Sequence, residues 1–268
     1  MHKGTRIALW AYCTLVGLWL VLPTLVVIPV GFSDRASFSF PPEGWSLRWY
    51  ENFFEDPAWV DALVNSLWIG LLSALCATVI GTAAALGLAR WASRRGREVT
   101  RALLLSPLVI PGIVLAIGIY AVFLELRLLG TVQGFVVAHA TLGMPLVVVA
   151  VMASLEGVDP QLERAAASLG AGPWATARHV TLPLIAPGVL SGAVFAFMTS
   201  FDEVIVALFI KSPYLETLPV QMYSSMIRDT DPTIAAAATL ILLLTTMMLL
   251  LASFLLHRRA RRVTGGLA

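Results

Sequence analysis

Charge is scarce in this sequence. Asp, Glu, Lys and Arg make up 13% of its 268 residues, against about 25% in an ordinary soluble domain. Hydrophobic residues reach 58%, and the mean hydropathy is +0.84. Too little polar surface is left to cover a water-soluble core, so the class is a polytopic, all-α membrane protein. Cysteine is nearly absent. Cys13 and Cys76 both lie in apolar runs, which excludes a disulfide framework and makes them small buried hydrophobes. Catalytic signatures are missing too. There is no G-x-x-x-x-G-K-S/T loop, so the chain does not bind ATP by that route. Without H-E-x-x-H or G-x-S-x-G, membrane protease and lipase readings lose their metal or nucleophile. No residue is assigned to catalysis, to a metal or to a cofactor, and nucleic acid is not an expected partner.

What is present is long apolar runs. A spanning helix needs about 20 mostly apolar residues. Six stretches qualify: Ile7–Phe32, Ala62–Ala89, Ala102–Leu124, Gly134–Leu155, Pro187–Ile210 and Ile234–Leu256. The run from Ile7 to Phe32 is longer than a signal-peptide core and ends without an A-x-A site, so it reads as an uncleaved first span. An even number of spans puts both termini on one side. Thirteen of the 18 Lys and Arg residues share that side: Lys3, Arg6, Arg90, Arg94, Arg95, Arg97, Arg101, Arg164, Arg178, Arg258, Arg259, Arg261 and Arg262. Arg35, Arg48, Arg127, Lys211 and Arg228 take the other. The positive-inside rule then puts both termini in the cytoplasm, with residues 1–268 as one transmembrane domain.

The connections differ in character. The short basic loop from Arg90 to Arg101 has a topogenic role, in contact with anionic lipid heads. The first outer loop, Ser33 to Asp61, holds Trp45, Trp49, Tyr50, Phe53, Phe54 and Trp59, and reads as an amphipathic segment at the membrane interface. Pro107 and Pro111 are expected to kink the third span. Gly188 and Gly192 make a GxxxG spacing suited to close helix approach.

The segment 156–186, between the fourth and fifth spans, is moderately polar and full of helix punctuation. Asp159 before Pro160 predicts an N-cap with proline at the first helical position. A short alanine-rich helix follows over Gln161–Leu169, and Gly170 stops it. Pro173 opens a second short helix with Trp174, Ala177 and Val180, and Pro183 and Pro187 turn the chain into the membrane. The first helix is too short to be stable alone in water. It either packs on its own bundle or docks on a partner.

The run Glu163-Arg-Ala-Ala-Ala-Ser-Leu-Gly-Ala, with Leu182-Pro183-Leu184 beyond it, resembles the EAA loop of type I ABC importer permeases. The resemblance covers about Asn65 to Leu256. It takes in Asn65-Ser66-Leu67, the proline-containing third span, Pro187-Gly188, Ser200-Phe201-Asp202-Glu203 and Ser212-Pro213-Tyr214. Within that family the chain is most similar to the second permease subunits of spermidine/putrescine importers. The resemblance implies a type I permease fold in a bacterial inner membrane, its loop helix seated in a groove on a separate ATPase. Implied partners are a second, different permease subunit, an ABC ATPase dimer that carries the ATP and Mg, an extracytoplasmic solute-binding protein and membrane lipid. The implied cargo is a small solute, a cationic polyamine such as spermidine or putrescine. Ala165, Ala166, Gly170, Leu182 and Pro183 stand on the motif positions that couple to the ATPase. The family's glutamate, counted back from Gly170, falls on Arg164. Glu163 stands one residue earlier, about 100° round the helix, so docking rests on the alanine face.

Asp202 and Glu203 lie within the expected fifth span. At about 1.5 Å per residue from Pro187, Asp202 sits roughly 22 Å in, past the midplane of a core about 30 Å thick. A charge there costs about 2.5–3.5 kcal/mol or more, so both carboxylates face a polar pathway or are paired. On one reading they hold a cationic solute weakly, with Phe197 and Phe201 adding cation–π contact. Ser200, Phe201, Asp202, Glu203 and Tyr214 are then the candidate pathway residues. On the other reading, one of them pairs with a base of the partner permease or caps a helix end. The outer segment Lys211–Asp231, with Glu216, Gln221, Tyr223, Arg228 and Asp229, is a candidate gate or binding-protein contact. His139, alone in the fourth span, reads as hydrogen-bonded to a neighbour. Two alternatives stand beside the polyamine permease. One is an ABC permease for another small solute; the other is an ion-coupled secondary transporter using Asp202, Glu203 and His139, for which no inverted repeat is evident.

Overall fold

The computed structural model describes residues 3–91, 93–228 and 231–264, with side chains from Thr5 to Phe254 within them. Asp229 lies outside the described residues, as do the side chains of Lys3, Arg258, Arg259, Arg261 and Arg262. The chain begins with α1 (Lys3–Gly31), α2 (Arg48–Glu55) and α3 (Pro57–Ala89). Next come α4 (Arg94–Leu105), α5 (Gly112–Glu125), α6 (Val132–Glu156) and α7 (Pro160–Ser168). Last are α8 (Pro173–Thr176), α9 (Leu182–Phe201), α10 (Ile205–Ile210), α11 (Leu218–Arg228) and α12 (Thr233–Thr264).

Among the described residues five stretches are long and apolar enough to cross a membrane: Thr5–Gly31, Pro57–Ala89, Val132–Glu156, Pro173–Phe201 and Thr233–Phe254. The expected third span is more than kinked. Arg94–Leu108 and Gly112–Glu125 meet at 98°, and they make a sixth crossing only if the bent pair is one span. Pro107 sits in a single 3-10 turn, Ser106–Leu108, and Pro111 is extended, with ψ 133°, just before α5. Two prolines four residues apart remove two helical donors, and Pro111 drives Ile110 out of the α region, so the helix ends and restarts.

The expected fifth span, Pro187–Ile210, is redrawn at both ends. The helix does not turn at Pro183 or Pro187. It runs from α8 through a π turn, Ala177–Thr181, into α9. In that turn the Leu182 N–H donates to the Ala177 carbonyl, five residues back. The wider turn makes room ahead of Pro183, whose ring would crowd a regular α-turn. At the far end α9 stops at Phe201 and α10 starts at Ile205, so Asp202 and Glu203 occupy a break and not a helix.

Packing divides the chain into two compact units, residues 1–61 with 221–246, and 62–220 with 247–268. In the first unit α1 exposes Ile7, Trp10, Leu15 and Trp19, and Cys13, expected to be buried, is exposed with them. A helix apolar on all sides has no single core-facing stripe to bury. At its end Gly31 allows a close approach: an added Cβ would stand 3.0 Å from the Tyr50 hydroxyl and 3.2 Å from the Ala235 backbone. Asn52 Nδ2 donates to Thr233 Oγ1 at 2.8 Å, tying α2 to α12. In the outer loop Trp49, Phe53 and Trp59 are buried while Trp45 and Phe54 stay exposed, so α2 has the two faces of the amphipathic segment expected there.

In the second unit α3, α6 and α9 meet around small side chains, Ala74, Ala77, Ala85, Ala140 and Ala196, with Val147 and Ile185. The α6–α9 pairing is extensive. Gly188 and Gly192 line it. An added Cβ at Gly192 would lie 2.9 Å from Val147 Cα, and one at Gly188 2.8 Å from the Ala150 carbonyl oxygen. From the other side Gly143 faces Ala196, where an added Cβ would come within 2.9 Å. Small residues in register let two backbones close up where no water-driven hydrophobic force pulls them together. A second cluster, including Phe123, Phe135, Val206 and Ile210, packs α10 against α5 and α6.

Candidate functional site

The segment 156–186 is built by its caps. The Asp159 carboxylate accepts the Gln161 N–H at 2.8 Å, and Pro160 fills the first helical position of α7. The helix ends at Gly170, whose φ of +86° is a left-handed conformation that favours glycine. Inside, the Glu163 carboxylate accepts the Thr181 hydroxyl at 2.5 Å and pairs with Arg90 Nη2 at 3.4 Å. Glu163 thus joins α7 to the π turn and to the end of α3. Its neighbour Arg164 is exposed, as are Ala165, Gly170 and Pro183, with Ala166 and Leu182 half-buried. Leu169 is 89% exposed and Trp174 75%. Small and apolar side chains on a short helix beside one arginine form a face suited to a groove in another protein.

The acidic pair divides its labour. Glu203 caps α10, its two oxygens accepting the Val206 N–H at 2.9 Å and the Ala207 N–H at 2.8 Å. From α6, the wholly buried His139 sets Nδ1 2.8 Å from Ser200 Oγ and Nε2 3.9 Å from Glu203 Oε2. One side chain of α6 therefore touches both sides of the break. Phe201 is buried and stacks on Phe197, with ring centroids 5.6 Å apart and 16° between planes. Asp202 is exposed. Tyr214 is 95% exposed, on the turn closed between Ser212 and Leu215. That turn is anchored to the start of the second span. Asn65 Nδ2 donates to the Glu216 carbonyl at 3.1 Å, and the Leu218 N–H donates to Ser66 Oγ at 2.7 Å.

Residues 77–262 match the family described as binding-protein-dependent transport system inner membrane component. The chain belongs to this family. The permease is 30% identical to the spermidine/putrescine transport system permease protein PotC of Haemophilus influenzae, over 84% of this chain and 87% of that protein. It is 33% identical to the putrescine transport system permease protein PotI of Escherichia coli K12, over 81% of this chain and 79% of that one. Among solved structures it is similar to a bacterial ABC transporter involved in the import of the acidic polysaccharide alginate. The TM-score is 0.74 at 14% identity, over 95% of this chain and 96% of the other. At that identity the likeness is one of fold, that of a type I ABC importer permease. The family is one of inner-membrane transport components, not enzymes, and membership removes the ion-coupled secondary transporter.

Of the candidate pathway residues, the permease brings Ser200 and Glu203 together through His139, and leaves Asp202 and Tyr214 exposed. The sequence grouped His139 with Asp202 and Glu203 only in the ion-coupled alternative, and its expected hydrogen bond had no named partner. Its partner Ser200 is 61 residues away, and no local pattern records such a pairing. Thr181 was not singled out either, since a threonine ahead of Leu-Pro carries no signal until Glu163 is seen to accept from it. The capping role of Glu203 did have a signal: an acidic residue directly before a short apolar run is a helix start.

Proposed function

We propose that this permease forms half of the import pathway for a small cationic amine of the polyamine class, spermidine or putrescine. Asp202 carries the reading. It is an exposed carboxylate at the break between α9 and α10, and among the described residues it makes no ion pair. Such a group attracts an ammonium and releases it again, because no described residue pairs with it. Glu203 is already engaged as a cap and acts by holding the break in shape. The relatives PotC and PotI, named for spermidine and putrescine, support the cargo class.

A second, different permease subunit supplies the other half of the pathway. A separate ABC ATPase dimer, with its ATP and Mg, drives transport, and an extracytoplasmic solute-binding protein delivers the solute. Both termini lie in the cytoplasm, a reading supported by the distribution of Lys and Arg. The ATPase contact is the outer face of α7, with Ala165, Ala166 and Gly170, together with Leu182 and Pro183. Arg164 takes the glutamate's place in that contact and pairs with an acidic group of the ATPase. Glu163 faces inward and keeps α7 on its own bundle.

The test is uptake of radiolabelled spermidine and putrescine by the assembled importer in proteoliposomes. Losing one charge-assisted contact in Asp202→Asn is expected to lower uptake about tenfold, with ATP hydrolysis retained. Unchanged uptake by that variant would remove Asp202 from the pathway. No uptake of either amine by the wild type would remove the cargo class.

A further inference from the structure

Helix α4 is amphipathic, with Arg94, Arg95, Arg97 and Arg101 beside the exposed Val99 and Leu103. Ser93 caps it, accepting the Gly96 N–H at 3.4 Å. Trp91, half-exposed, lies against its first turn, where a Cβ added at Gly96 would stand 3.0 Å from the indole nitrogen. Tryptophans at the end of a span sit at the level of lipid headgroups, so α4 lies along that level.

Between α4 and the ends of α3 and α6 opens a groove of about 330 Å³. Its apolar wall is Leu88, Met152 and Leu155, the last turns of two spans. Arg97 and Arg101 line the opposite side. Four residues apart on one helix, they share a face, and neither makes an ion pair with a described residue. Of the two acids in the lining, Glu98 is engaged by Arg94 at 3.0 Å, which leaves Glu156.

We propose that this groove holds one anionic phospholipid from the leaflet on the side of the loop 156–186. Arg97 and Arg101 grip the phosphodiester, and the upper acyl chain lies along Leu88, Met152 and Leu155. Planar guanidinium groups suit a phosphate's paired oxygens. Two arginines meant only for solvent need no apolar slot beside them, and an inorganic anion would leave that slot unfilled. The site adjoins the coupling segment, because Arg90, the residue after Ala89 of the lining, is the partner of Glu163.

The assembled importer is incubated in detergent with equal amounts of phosphatidylglycerol and phosphatidylcholine, and retained lipid is counted by native mass spectrometry. The wild type is expected to retain phosphatidylglycerol over phosphatidylcholine by about tenfold. Arg101→Gln loses one phosphatidylglycerol per copy of this chain. Met152→Trp keeps both arginines, fills the slot and loses it as well. Arg95→Gln removes the same charge outside the groove and loses none. Equal loss in Arg95→Gln and Arg101→Gln would mean a diffuse charge effect and overturn the site, as would no preference in the wild type. Displacement of the lipid by millimolar inorganic phosphate would reduce the site to an anion cradle and overturn the acyl slot. If Arg101→Gln keeps its lipid but releases the ATPase subunit, the groove is a protein contact and the lipid assignment fails.

Discussion

Replacing Glu163 with alanine tests how α7 is held. The buried Thr181 hydroxyl donates to its carboxylate, and a hydrogen bond to a charged group contributes about 1.5–3 kcal/mol. The Arg90 pair spans 3.4 Å between side chains that are 47% and 36% exposed, so it adds only about 0–1 kcal/mol. The sum is about 1.5–4 kcal/mol of docking free energy, and losing even about 2 kcal/mol of it raises the detached fraction of α7 about thirtyfold. Hydrogen exchange at the amides of Ala165 to Leu169, measured on the purified permease in detergent, reads that fraction directly. Thr181→Val keeps the side-chain shape and removes the donor, so it should reproduce most of the effect. Arg90→Gln should change exchange less than threefold or so. In the Thr181→Val background Glu163→Ala adds little, since the two share one contact. Unchanged exchange in Glu163→Ala, or an Arg90→Gln effect of equal size, would refute this account of the loop.

Four further outcomes follow from the packing and its hydrogen bonds. Gly192→Leu forces a side chain toward Val147, where even a Cβ would come within 2.9 Å of its Cα; overpacking should cost about 1–3 kcal/mol and lower the melting temperature in detergent. Gly87→Ala, where an added Cβ meets nothing within 4 Å, should leave that temperature unchanged or raise it. Glu203→Ala strips the acceptor from the Val206 and Ala207 N–H groups and should cost about 0.5–2 kcal/mol in the same melt, with Glu203→Gln falling between. Ser200→Ala leaves the buried His139 Nδ1 without its partner and should cost about 1–3 kcal/mol.

The parts legible in the sequence were those written locally. Apolar length marks a span whatever surrounds it, and Asp159-Pro160 with Gly170 marks both ends of α7 within eleven or so residues. The register of the alanines and Gly170 also set Glu163 and Arg164 on different faces of α7, and the structure has Glu163 bonded to Thr181 while Arg164 is exposed. Breaks inside apolar stretches were harder. Pro107 and Pro111 announced a disturbance, but a 98° turn and a mild kink share the same two residues, and neighbouring helices decide between them. The break after Phe201 was hidden because Pro187 to Ile210 is apolar enough to read as one helix, and hydropathy does not report where hydrogen bonding stops. Pro183 and Pro187 erred in the opposite direction: the π turn upstream absorbs the first, and α9 carries the second in its interior. The pairing of His139 with Ser200 was invisible for a different reason, being a contact made only when α6 and α9 close along their glycine seam.

Uptake measured with and without the ATPase subunit is the most direct test of an ATP-driven permease. The assembled importer, in proteoliposomes with its binding protein outside and no proton gradient, is given labelled spermidine or putrescine. Accumulation that requires internal ATP, and that vanishes when the ATPase is left out, is the predicted result. Accumulation by the permease alone, driven by a proton gradient and indifferent to ATP, would contradict it.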